Sequence, residues 1–176
     1  MYEKNNVRNL VIAGLMLALG VIIPTIFHST GIPGNVFLPM HIPVLIGGFL
    51  LPPYLGFLLG VLTPLINSLI TGMPVFFPMG IIMIFELGMY GLMASLLYRK
   101  LKLPSVIALI LSMIGGRLMA GVVVFILAAF FAIKMDPMLF IIGGITTGLP
   151  GIIIQLVLVP TLIYSIVKYT TIDFDY

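Results

Sequence analysis

Six apolar runs fill most of the chain, and short breaks containing Gly, Pro or polar residues separate them. A helix needs about 20 residues to cross the hydrocarbon core of a bilayer, and most of the runs approach or exceed that length. The pattern predicts an all-α membrane protein with six transmembrane helices, forming one domain over residues 1–176. The predicted spans are 7–27, 38–52, 54–70, 77–98, 104–132 and 138–167.

The breaks between the runs have the composition of turns. Residues 28–37 (HSTGIPGNVF) are predicted to form a loop, and Pro52 with Pro53 predicts a tight connection between the second and third spans. The last run contains Gly148 and Pro150, which predict a kink because proline interrupts the hydrogen-bond ladder of a helix. The first run is long enough to span, so it is interpreted as a helix rather than as a signal peptide.

Lys and Arg predict the orientation. With six spans both termini lie on one side of the membrane, and that side carries most of the basic residues, whereas the other side carries only Lys134. The positive-inside rule then places both termini in the cytoplasm. The basic residues on that side are Lys4, Arg8, Arg99, Lys100, Lys102 and Lys168.

The composition agrees with a membrane protein and excludes several functions. Hydrophobic residues make up 61% of the chain and charged residues 7%, whereas a soluble domain carries about 25% charged residues. The chain has no cysteine and no phosphate-binding G-x-x-x-x-G-K-[ST] loop, so thiol chemistry and nucleotide hydrolysis by this chain are excluded. The net charge of +3 comes from helix ends, which indicates topology rather than nucleic-acid binding.

Two charged residues fall inside predicted spans, Glu86 in the fourth and Arg117 in the fifth. Charged side chains at membrane depth are costly and by default indicate function. One interpretation is an ion pair that holds two helices together, and the other is direct contact of at least one partner with a ligand. The two interpretations are compatible if a ligand bridges the pair.

Further polar residues cluster toward the outer face in this topology and are candidate ligand contacts with Glu86 and Arg117. A small-molecule site usually combines apolar walls with a few placed polar groups. The residues lack metal-ligand spacing and a Ser-His-Asp arrangement, so we expect no metal, no cofactor and no enzymatic activity. These candidate residues are Asn35, His41, Asn67, Tyr90 and Thr147.

The first predicted helix carries small residues four positions apart, Gly14 and Ala18. This spacing lets another helix approach closely. Packing inside the bundle and docking of a partner membrane protein both explain it.

Together these features resemble the substrate-binding S component of energy-coupling factor (ECF) vitamin transporters. The resemblance lies in NNVRNLVIAGLMLALG (5–20), in LPMHIPVLIGGFLLPPYLGFLLGVLTPLINSLITGMP (38–74) and in FELGMYGLMASLLYRKL (85–101). The family often joins its second and third helices by Gly-Pro-x-x-Gly. Here Pro52 replaces the first glycine of that turn, which ends at Gly56.

The resemblance implies a prokaryotic plasma-membrane protein that binds one vitamin or precursor from the outside, beneath the loop 28–37. Uptake would need a membrane coupling protein, the T component, and two ATPases. The family's Ala-x-x-x-Ala docking motif corresponds to Gly14 and Ala18, so its first position departs from alanine. The local pattern is most similar to the branches that bind pantothenate, hydroxymethylpyrimidine or pyridoxine.

Three other functions compete with this one: a self-contained channel or facilitator, a ligand-free scaffold protein and an intramembrane enzyme. A pore needs polar groups along its full length, whereas here they favour the outer half. Glu86 is the only acidic residue inside a predicted span, so no relay of carboxylates is visible for ion-coupled transport. The distribution of polar residues therefore favours a binding pocket.

Overall fold

A computed structural model describes residues 2–131 and 133–169 and shows only helices and short connections in that part of the chain. The fifth helix is preceded by the segment Phe76–Gly80, which is kinked at Phe77, and is followed by a π-helical turn, Leu96–Lys100. The helices are α1 (Tyr2–Ser29), α2 (Gly34–Phe37), α3 (His41–Leu50), α4 (Pro53–Thr71), α5 (Ile81–Ser95), α6 (Ser105–Phe131), α7 (Pro137–Thr147) and α8 (Leu149–Tyr169).

Within the described residues, five helices are long and apolar enough to cross a membrane, where the sequence predicted six spans. The difference lies at the predicted span 38–52, where α3 has ten residues. At 1.5 Å per residue α3 is about 15 Å long, roughly half of the ~30 Å hydrocarbon core. The spanning helices are Asn6–Ser29, Pro53–Thr71, Phe76–Lys100, Ser105–Phe131 and Leu149–Tyr169.

Helix α3 lies inside the bundle rather than at its surface. Every residue of α3 except Ile42 is buried, and the helix packs against α1, α4, α5 and α8. A helix that is apolar on all sides belongs in a core, which explains why a run too short to span is nevertheless strongly hydrophobic.

The last apolar run forms two helices, whereas the sequence predicted one kinked helix over 138–167. Helix α7 ends at Thr147, and α8 begins at Leu149. Pro150 has no N–H to continue the ladder of α7, so the chain breaks at Gly148. Helix α7 has no buried residue and packs mainly on α6.

Helices α4 and α5 touch along their backbones. A Cβ atom on Gly60 would overlap the carbonyl oxygen of Leu87, and one on Gly91 would overlap the carbonyl oxygen of Gly56. Small residues allow such close approach. The resulting van der Waals contacts hold helices together in lipid, where no hydrophobic driving force acts between them. This contact fixes α5, and with it the position of Glu86.

The end of the bundle that carries Arg99, Lys100 and Lys102 is called the basic end. Ser95 donates a hydrogen bond to the carbonyl of Leu51 (2.7 Å), and Arg99 donates one to the carbonyl of Leu50 (2.7 Å). These bonds satisfy two carbonyls at the end of α3 and hold the tight connection to α4 in place. The opposite end, where α1 and α4 finish, is called the cavity end.

Candidate ligand site

A cavity of about 630 Å³ opens at the cavity end of the bundle. Its walls come from α1, α2, α3, α5, α6 and α7, together with the connection between α4 and α5. Most of the lining is apolar, with a few polar side chains at the mouth and on the floor. This composition is typical of a small-molecule site.

Glu86 and Arg117 form the polar floor of this cavity. Nη1 of Arg117 lies 3.1 Å from Oε1 of Glu86, and the two side chains are 12% and 3% exposed. The hydroxyl of Tyr90 donates a hydrogen bond to the same Oε1 (2.9 Å). The pair therefore joins α5 to α6. It also lines the cavity, so contact with a ligand remains a prediction beside the structural role.

Two glycines make room for this floor. A Cβ on Gly144 of α7 would lie 2.5 Å from Nη1 and 3.0 Å from Cζ of Arg117, so the guanidinium lies directly against the α7 backbone. A Cβ on Gly116 would overlap the ring of Tyr90. Arg117 is thus held between Glu86 on one side and α7 on the other.

His41 is the first residue of α3 and lines the cavity beside this pair. Its ring contacts that of Tyr90, with centroids 5.5 Å apart. The side chain is 4% exposed, and its Nδ1 has no hydrogen-bond partner among the described residues. Buried polar groups are normally hydrogen-bonded, and His41 lines the cavity, so a bound ligand is a candidate partner for this nitrogen.

Asn35 of α2 and Thr147 of α7 line the cavity at its exposed mouth. His28, at the end of α1, also lines the mouth, although the sequence did not mark it as a contact. Its position after the first apolar run, beside a Gly- and Pro-rich loop, is the signal that could have identified it. The sequence also missed the methionines of the wall, since no spacing distinguishes them from core residues. These are Met40, Met73, Met79 and Met83.

Two other predicted contacts lie elsewhere. Asn67 is fully buried and donates hydrogen bonds to the carbonyls of Gly20 (2.9 Å) and Thr63 (2.8 Å), so it joins α1 to α4 outside the cavity lining. Tyr90 reaches the site through Glu86 and borders a smaller cavity of about 210 Å³ on the far side of Arg117.

The small residues of α1 face outward. Gly14 and Ala18 are exposed, and no heavy atom lies within 4 Å of a Cβ built on Gly14. Packing inside the bundle therefore does not explain Gly14. The same helix exposes a row of large apolar side chains, namely Val7, Leu10, Val11, Leu15, Ile22 and Ile26.

A family model described as "ECF transporter, substrate-specific component" matches residues 8–163. The chain belongs to this family. The match extends from the start of α1 into α8 and contains the whole cavity, which confirms the resemblance drawn from the sequence. No curated protein matches the chain, and no solved structure matches it.

Membership of the ECF substrate-specific components gives the protein its general role. It is a multi-pass membrane protein of a family whose members serve transport and substrate binding. The family binds vitamin-type substrates for ECF-mediated uptake and works with T and ATPase components. Within the ECF family the fold serves many substrates, so the substrate has to be argued from the cavity.

Proposed function

We propose that the protein captures a small water-soluble vitamin or precursor from the outside, of the pantothenate, hydroxymethylpyrimidine or pyridoxine type, for ATP-driven uptake. The observation that carries this proposal is the cavity whose lining includes the paired Glu86 and Arg117. The volume of about 630 Å³ falls within the range of pockets that enclose small ligands, roughly 300–1,000 Å³.

The proposed topology has six crossings with both termini in the cytoplasm of a prokaryotic cell. Helices α2 and α3 together form the second crossing, and α7 and α8 together form the sixth. The basic end is cytoplasmic by the positive-inside rule, and the cavity end therefore faces outward. The hydrogen bond from Arg99 to the carbonyl of Leu50, the last residue of α3, supports the second crossing, because it places the end of α3 at the basic end.

The exposed strip on α1 is proposed as the docking face for the membrane T component, which works with two ATPase subunits. Gly14 and Ala18 provide a smooth surface between large apolar residues. Such surfaces favour close contact between helices in lipid. Only 11% of the apolar segment of α1 is buried in the bundle, which is the lowest share among the five spanning helices. Helix α1 therefore leaves the largest share of its surface available to a partner helix.

The packing argues against the channel and the scaffold. A channel needs a polar path to the basic end, yet that half is filled by side chains with almost no exposure, including Leu45, Phe49, Leu109 and Ile163. A scaffold protein needs no open cavity beside an ion pair. A scaffold role also leaves unexplained why Nδ1 of His41 has no hydrogen-bond partner among the described residues.

Native mass spectrometry of the purified protein, followed by titration calorimetry with a vitamin panel, tests the proposal. We expect one vitamin or precursor to bind with a dissociation constant on the order of nanomolar, which corresponds to about −12 kcal/mol. Copurification with a co-expressed T component and its ATPases is expected as well. An absence of binding across the panel, together with an absence of that complex, would rule the function out.

A further inference from the structure

The charges that line the cavity cancel. Among the described residues that line it, four side chains carry or can carry a charge, namely His28, His41, Glu86 and Arg117. His28 is exposed at the mouth, whereas Glu86 and Arg117 are paired with each other on the floor. The deep part of the cavity therefore offers a ligand one cation and one anion that are already compensated.

A ligand with a net charge is poorly matched to such a floor. A carboxylate that bound Arg117 would compete with Glu86, and Glu86 would then remain as a buried anion without its cation, which is costly. In its observed position the guanidinium lies against the α7 backbone at Gly144, so its α7 side is not open to a second partner. A cationic ligand that bound Glu86 would leave Arg117 uncompensated in the same way.

The unpartnered nitrogen of His41 indicates which polar group the ligand carries. Neutral imidazole has one donor nitrogen and one acceptor nitrogen, so Nδ1 takes one role or the other. A hydroxyl group both donates and accepts, and it therefore satisfies Nδ1 in either tautomer. An alcohol is the simplest uncharged group that fits this nitrogen.

The walls favour a flat ring beside that hydroxyl. Met79, Met83 and Phe140 line the cavity next to the floor. Thioether sulfur packs favourably against aromatic rings, and methionine adapts to irregular shapes. An aromatic ring whose edge carries polar atoms would contact these walls with its faces and the ion pair with its edge.

From these observations we infer that the ligand is an uncharged heteroaromatic alcohol, of the hydroxymethylpyrimidine or pyridoxine type, rather than an anion or a cation. This inference rests on the proposed function and narrows it, since it removes the pantothenate type. The Glu86–Arg117 pair acts as a selectivity device that rejects net charge, and His41 binds the hydroxyl group.

Calorimetry on the parent protein with four compounds tests the inference. Pyridoxine and 4-amino-5-hydroxymethyl-2-methylpyrimidine carry no net charge at neutral pH. Pantothenate is an anion, and thiamine is a cation. We expect one of the uncharged compounds to bind at least about 100-fold more tightly than either charged one, because a charged ligand breaks a buried pair.

Three variants then test whether the ion pair causes this preference. Glu86→Gln keeps an acceptor for Tyr90 and leaves Arg117 unpaired, so the affinity for pantothenate relative to the uncharged compound should rise about tenfold or more. Arg117→Met should raise the relative affinity for thiamine instead. The double variant restores neutrality and should keep the preference for uncharged ligands. Ratios measured on one preparation are insensitive to partial loss of folded protein.

His41→Phe provides the test of the hydroxyl contact. The ring shape and the packing against Tyr90 are retained, while the nitrogen is lost. We expect about tenfold weaker binding of the preferred alcohol, and no further loss when the ligand's hydroxymethyl group is replaced by methyl.

The outcomes separate this inference from the proposed function. If no compound of a complete vitamin panel binds the parent, the proposed function and the inference both fail. If pantothenate or thiamine binds most tightly, the function stands and the inference is overturned. If the uncharged compound leads but the two single variants leave the ratios unchanged, the ion pair is not the selectivity device and the inference is likewise overturned.

Discussion

Gly60→Ala is expected to lower the free energy of unfolding by about 3 kcal/mol, near the upper end for inserting a methyl group into a packed interface. The added Cβ would overlap the carbonyl oxygen of Leu87, and a backbone atom cannot rotate away as a flexible side chain can. Helices α4 and α5 would have to separate. Unfolding in detergent micelles, followed by circular dichroism and by the yield of monodisperse protein, measures the effect.

Gly14→Ala is the matched control for that variant. It adds the same methyl group to another helix, at a position with nothing within 4 Å. Alanine has the higher helix propensity by about 1 kcal/mol, so the control should be as stable as the parent or slightly more stable. If Gly60→Ala equals Gly14→Ala in stability, the backbones of α4 and α5 are not in contact.

Gly144→Ala is expected to weaken vitamin binding about 100-fold while the protein remains folded. The new methyl group would lie 2.5 Å from Nη1 of Arg117. The guanidinium is the end of a flexible side chain and can move, so the cost to stability is small. Its movement, however, breaks the pair with Glu86 on the cavity floor. Calorimetry with the preferred ligand, together with a melting curve for the same preparation, separates binding from folding.

The neighbouring variant Gly143→Ala is the control. It adds a methyl group to the adjacent position of α7, which also lines the cavity but has no heavy atom within 4 Å. Its affinity should stay within a few-fold of the parent's. Equal losses in the two variants would show that crowding of the cavity, and not the displacement of Arg117, weakens binding.

The lengths of the apolar runs were sufficient to locate most of the spanning helices. The predicted spans 54–70, 77–98 and 104–132 end within two residues of Pro53–Thr71, Phe76–Lys100 and Ser105–Phe131. Run length sets these ends, because lipid requires a continuous apolar helix. The same signal could not separate α3 from a spanning helix, since a core helix and a lipid-facing helix are equally apolar.

Two residues that line the cavity could be singled out from the sequence because they are charged. Glu86 and Arg117 stood out because ionised groups are rare at membrane depth, and the structure brings them within 3.1 Å. Asn67 is also polar and was predicted to contact the ligand. Its amide instead donates hydrogen bonds to the carbonyls of Gly20 and Thr63. Which partner a buried amide finds depends on the neighbouring helix, and one sequence does not reveal that neighbour.

The glycine contacts and the break at Gly148 were also beyond the reach of sequence patterns. A glycine in an apolar run is equally compatible with exposure, as at Gly14, and with backbone contact, as at Gly60. Likewise Pro150 predicts a distortion but not that α7 ends there and becomes a wall of the cavity. Both features depend on which elements lie side by side.

The compensated floor also has an electrical consequence for uptake. Whatever motion carries the loaded cavity across the bilayer, Glu86 and Arg117 move as a pair without net charge, and an uncharged ligand adds none. Each uncompensated charge that crosses would couple to the membrane potential by about 2.3 kcal/mol per 100 mV.

Uptake into proteoliposomes containing the complete ECF complex should therefore be independent of an imposed potassium diffusion potential. A voltage-dependent rate in the parent would show that net charge moves with the substrate. With the floor neutral, ATP would drive accumulation without electrical work in either direction, and the cell could take up the nutrient equally well when its membrane is energised and when it is depolarised.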